Sequence, residues 1–143
     1  MTLNLSSSTQ TTNWRQFGFY AIALLFNLCL VAQVLTVGLA YFYNPEWWNI
    51  HVLLVRGYSV LAPIMLLWVF LSSFPQRVRN LTLSISVLLG LQFLTIHLKS
   101  PLHAGVLHPL IGFLLFNVST TLVHRVQHVV FPTDGENNAN RIV

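Results

Sequence analysis

Four long apolar runs, each closed by a short polar or proline-bearing break, constrain this chain more than any other feature. They cover about residues 16–43, 49–73, 80–98 and 106–130. A helix needs about 20 apolar residues to cross the hydrocarbon core of a bilayer, so each run is long enough for one crossing. Asn44-Pro45 closes the first run, Pro75 with Arg77 and Arg79 the second, Lys99-Ser100-Pro101 the third and Phe131-Pro132 the fourth. None of the runs alternates apolar with polar residues as the strands of a membrane barrel do. Connections this short make neighbouring helices antiparallel. The expected fold is an all-α membrane protein, a four-transmembrane-helix bundle over residues 16–131. Polar tails at 1–15 and 132–143 are expected to be disordered. The first run is too long for the core of a signal peptide, and the polar segment before it has no positive stretch.

Composition agrees with this class. Only 7% of residues are charged, against about a quarter in soluble domains, and the mean hydropathy is +0.67. Such a chain cannot cover a water-facing surface, which excludes a soluble globular protein and a disordered one. The single Cys29 excludes an intrachain disulfide framework and a paired-cysteine metal motif. The formal charge of +4 comes without a basic cluster interleaved with aromatics, so it does not point to nucleic acid. The cations are instead sorted by loop. Arg15, Arg77, Arg79, Arg125 and Arg141 fall on one side, and Lys99 alone lies in the loops of the other. By the positive-inside rule both termini are cytoplasmic, in a bacterial inner membrane or on the stromal side of a thylakoid. Trp47 and Trp48 then fit an outer aromatic belt and Trp14 an inner one.

Residues 33–39 read QVLTVGL and residues 92–98 read QFLTIHL. Each copy lies near the outer end of its helix. Each leads through a proline-containing loop into a helix opening with a histidine, His51 in one half and His108 in the other. Chance likeness between leucine-rich segments competes with duplication, although Gln and Thr are uncommon at membrane depth. A duplication makes the bundle two repeated helical hairpins and sets His51 and His108 at equal depth.

Ionisable side chains within spans are functional candidates by default. His51, His97, His103 and His108 gather on the outer side, and His124 and His128 near the inner end of the last helix. A single histidine at an interface needs no special role. Two at matched depth on different helices can ligate heme b, whose iron takes one imidazole on each face. His51 and His108 are the expected axial ligands, with His97 in reserve. Gly57 and Gly112 follow them and can admit a flat macrocycle, as can Gly90 and Gly105; close helix packing also selects small residues. Arg56 sits deeper in the second span, about 140° around the helix from His51, and is a candidate partner for a propionate or other anionic group. Its other reading is a snorkelling arginine that bonds carbonyls freed near Pro63. His97, His103 and His108 form a competing three-imidazole metal site with no carboxylate to complete it. His124 and His128, with Arg125 between them, read as a cationic interfacial face. Gln33, Gln92, Asn27 and Asn117 are expected to make interhelical hydrogen bonds, the two glutamines near enough to the histidine level to support it. No hydrolytic motif is present.

The segments WWNIHVLLVRG (47–57) and LHPLIG (107–112) resemble a family of small, uncharacterised bacterial four-span proteins. LGLQFLTIHL (89–98), followed by HPLIG, also looks like one heme-binding four-helix half of heme A synthase. That second likeness implies His51 and His108 as a heme-ligand pair. It does not imply heme A synthesis, because the carboxylate-bearing loop and the second half are missing. Three functions stand at this level. One is single-electron transfer by a membrane b-type heme protein, with a quinone or another membrane redox protein as partner. The second is a metal-free accessory or assembly subunit of a larger membrane complex. The third is chlorophyll binding through histidine.

Overall fold

The computed structural model describes residues 14–97 and 104–131. Residues 1–13 and 132–143 of the expected tails, and Lys99, Pro101, His103 and Arg141, lie outside the described residues, while Trp14 and Arg15 belong to the first helix. The helices are α1 (Trp14–Phe42), α2 (Trp47–Tyr58), α3 (Leu61–Leu71), α4 (Gln76–His97) and α5 (His108–Val130), with a 3₁₀ turn at Ala104–Leu107 leading into α5. Four stretches are long and apolar enough to cross a membrane: Trp14–Phe42, Trp47–Leu71, Gln76–His97 and Ala104–Val130. The second and fourth begin two residues before the limits read from hydropathy. Trp47 and the 3₁₀ turn add a first turn of helix that their mixed polarity conceals.

The second span is one apolar run but two helices. Pro63 has no N–H to offer the carbonyl four residues back, and its ring crowds that carbonyl, which belongs to Ser59. The break falls there. The Ala62 N–H turns to Ser59 O at 3.2 Å, a three-residue step, and the Ile64 N–H reaches Val60 O at a long 3.4 Å. The Ser59 hydroxyl donates to Arg56 O at 3.0 Å. Ser59 and Val60 stay in the right-handed helical region, so the chain keeps its direction through the break.

The first connection is fastened by its own side chains. Glu46 N–H donates to Asn44 Oδ1 at 2.9 Å, an Asx turn that reverses the chain at Pro45. In the second connection Ser72 is extended, and Phe74 folds inward against the Phe19 ring at 4.6 Å between centroids.

Each span lends one stripe to the core, at helical three-and-four spacing. The stripes are Phe19, Ala23, Phe26 and Leu30 on α1; Ala62, Met65 and Val69 on α3; Val78, Thr82, Ile85 and Leu89 on α4; and Leu115, Ser119, Leu122 and Val126 on α5. Their remaining faces carry exposed Leu, Val, Ile and Phe, as a lipid-facing surface requires. Packing runs in a ring: α1 on α2, α3 on α4, α4 on α5, and α5 back on α1. The two halves of the second span differ here. Its α3 packs on both α1 and α4, whereas α2 packs chiefly on α1. Mid-span, Asn27 on α1 donates to Ser119 Oγ at 3.2 Å and Thr120 Oγ1 at 3.0 Å on α5, an interhelical clip of the kind expected of Asn27. Asn117 instead bonds its own helix at Phe113 O.

Candidate functional site: two glutamine–histidine pairs

The two halves of the bundle build the same contact. In the first, Gln33 Nε2 lies 3.0 Å from His51 Nε2; in the second, Gln92 Nε2 lies 2.9 Å from His108 Nε2. Thr36 and Thr95 complete the motif. Each hydroxyl donates back to the carbonyl of its glutamine, at 2.7 Å and 2.9 Å. Each histidine is the fifth residue of its span, counted from Trp47 and Ala104. The shared Gln-x-Leu-Thr pattern thus coincides with the same interhelical contact in both hairpins, the glutamine of one helix reaching the histidine of the next.

The first pair fixes its own protonation pattern. Gln33 Nε2 also donates to the His51 carbonyl at 3.1 Å. With the amide reversed, its oxygen would face that carbonyl, acceptor against acceptor, so the nitrogen must sit there. An N–H of Gln33 therefore points at His51 Nε2, which must carry its lone pair. The ring proton is on Nδ1, shared between Thr36 Oγ1 at 3.2 Å and Gln33 O at 3.3 Å. Neutral imidazole with Nδ1–H held by a backbone carbonyl is the form in which histidine ligates metals through Nε2. Trp48 stands edge-on to the His51 ring, 5.5 Å between centroids.

The second pair is looser. His108 Nδ1 is buried with no hydrogen-bond partner, as are Gln92 Oε1 and Gln33 Oε1. A buried polar atom without a partner costs roughly 1–3 kcal/mol. No hydrogen bond or ring contact joins His51 to His108.

The other expected site residues disperse. His97 is exposed, with Nδ1 tied to Phe93 O of its own helix at 2.8 Å. Arg56 is exposed on α2, away from the His51 side. Gly112 serves a purpose that its sequence position does not reveal: a Cβ there would stand 3.3 Å from Gln92 Nε2, so glycine leaves space for the glutamine to reach His108. A Cβ at Gly57 would meet nothing within 4 Å. Gly57 instead opens on an apolar groove of about 530 Å³ between the first and second spans, lined by Leu25, Cys29, Leu53, Leu54 and Tyr58. Among the described residues no three His, Cys, Asp or Glu side chains converge as a metal site.

The duplicated pairs can be set beside known proteins. Residues 33–97 match a family of unknown function (DUF6220). The DUF6220 match opens on Gln33 and closes on His97, taking in the first pair and the second Gln-x-Leu-Thr copy but stopping short of His108. It covers under half of the chain and accords with the expected likeness to an uncharacterised family. No curated protein and no solved structure matches the chain.

Proposed function

We propose that this chain is a b-type heme protein of the membrane that carries single electrons, with His51 and His108 as the axial ligands. The observation that carries the reading is the duplicated glutamine–histidine pair, whose first copy holds His51 in the ligating tautomer. When bound, heme b supplies reversible one-electron iron chemistry. The residues of the chain do the rest. Gln33 and Thr36 orient one imidazole, and Gln92 covers the other. For ligation both amides must swing off the Nε2 atoms they now cover. The resemblance read from residues 89–98 and 108–112 to one half of heme A synthase would imply the same pair of ligands. A quinone or a membrane redox protein fits as the electron partner of so small a chain. The arginine-rich end is cytoplasmic, placing both termini there and the histidine pairs on the outer side of a bacterial inner or thylakoid membrane.

One observation favours a second reading. Both Nε2 atoms already have hydrogen-bond partners, as they would in a metal-free accessory subunit whose pairs act only as clips between helices.

An absorption spectrum of the purified protein decides between them. A Soret band with sharp reduced α and β bands, lost in His51→Ala and in His108→Ala but kept in His97→Ala, is the expected result. Long-wavelength red absorption means a chlorin. The absence of any visible band after reconstitution with hemin defeats the heme reading and leaves the accessory one.

A further inference from the structure

We propose that His124 and His128 form a two-imidazole chelate for a divalent transition-metal ion, at the end of the bundle opposite the glutamine–histidine pairs. The sequence reading of these residues was a cationic interfacial face, which would turn both rings outward. Instead the rings turn toward each other, perpendicular at 89° with centroids 4.6 Å apart, and their Nε2 atoms stand 3.3 Å apart. Two imidazolium ions could not hold that contact. Two neutral rings could share one proton across it, at the long end of the range for an N–H hydrogen bond.

A metal ion also suits the spacing. With metal–nitrogen bonds of about 2.05 Å, two nitrogens 3.3 Å apart subtend about 107° at the ion, close to the tetrahedral angle. The helix sets this up, because residues four apart stand one above the other on one face. Both histidines are exposed in the last two turns of the fourth span, which closes at Val130, so an ion at that membrane face can reach them. Glu46, the one acidic residue among those described, lies near the other end of the bundle. An all-imidazole site of this kind selects Zn²⁺, Ni²⁺ and above all Cu²⁺, over Mg²⁺ or Ca²⁺. Arg125 projects about 100° around the helix from His124, beside the chelate and not across it. The ion would join the last two turns of α5. The end of α5 is in turn held to α1, where the Phe131 ring meets Tyr20 edge-on at 5.9 Å. Metal binding thereby tightens the last turns of the fourth span.

The test uses the full chain in nanodiscs, titrated with CuCl₂ and with ZnCl₂. One Cu²⁺ per chain is expected, with two-nitrogen hyperfine structure in its electron paramagnetic resonance spectrum. His124→Ala and His128→Ala should each weaken binding at least tenfold, because each removes one arm of the chelate. ZnCl₂ should slow amide exchange over residues 125–130 in the wild type and in neither variant. Binding that survives both substitutions, or that is lost in His51→Ala or His108→Ala instead, overturns the proposal. Both histidines are exposed, so helical circular dichroism should be unchanged in the two variants. The outcome is independent of the heme spectrum, which His124→Ala and His128→Ala should leave as it is.

Discussion

Gln33 decides more at the first histidine than His51 itself does. One amide, donating to both Nε2 and the carbonyl of the same residue, settles ring orientation and tautomer together. Gln33→Leu keeps the volume but removes both bonds. It is expected to leave the protein folded while shifting the low-spin heme spectrum through loss of the bond to the His51 carbonyl, the one that ligation at Nε2 leaves in place; an unaltered spectrum would reduce Gln33 to a bystander. The glycines allow a sharper comparison. At Gly18 an added methyl would stand 3.0 Å from the Trp68 indole, so Gly18→Ala should destabilise by about 1–3 kcal/mol through overpacking. Gly57 has open space, and Gly57→Ala should be neutral or gain up to about 1 kcal/mol in helix propensity. Unfolding of the two variants in a mixed-micelle titration reads the difference directly. The polarity of Gln33, Gln92 and the histidines was legible in the sequence, because such side chains stand out in apolar runs. That each glutamine reaches across its own hairpin to the next histidine was not. A spacing of 18 or 16 residues acquires meaning only once the turn between the helices is known.

The second span shows the same limit at the level of the element. Hydropathy describes one run over residues 49–73 and is blind to a break, since the residues on either side of it are equally apolar. Pro63 was visible, but its effect lands one turn earlier, at the carbonyl of Ser59, where α2 ends and α3 has yet to begin. Pro63→Ala restores an N–H and removes the clash. It should join α2 to α3 and raise stability, an interior proline costing a helix about 3 kcal/mol. Amide exchange at residues 59–61 should slow in that variant; exchange as fast as in the wild type would mean that something other than Pro63 breaks the helix. The 3₁₀ turn before His108 escaped the sequence for a related reason. Ala104–Leu107 has no capping side chain to announce it.

The whole molecule was the most legible level. Four spans in an antiparallel ring follow from run length and loop length alone, and the helices and packing described above agree with that expectation. The start of α1, the connection at 72–75 and the end of α5 share one end of the bundle. Reporter fusions placed after Arg79 and after Val143 should therefore give the same signal, and by the distribution of arginines that signal should be cytoplasmic. Opposite signals would break the four-span topology; two outward signals would keep it and invert the orientation.

The unequal packing of the second span makes it a lever. The pivot is the weakened stretch of backbone at Ser59 and Val60, α3 is the fixed arm clamped by two neighbours, and α2 is the free arm resting chiefly on one. His51 rides about 12 Å out from the pivot, eight residues at 1.5 Å each. A swing of roughly 10° would carry it about 2 Å, using that same rise per residue. Such a displacement is enough to part a 3.0 Å hydrogen bond. His108 has no comparable freedom, because α5 is seated along both α1 and α4. Of the two histidines, the one with the better-defined hydrogen bonds is thus also the one mounted on the arm seated chiefly against a single neighbour.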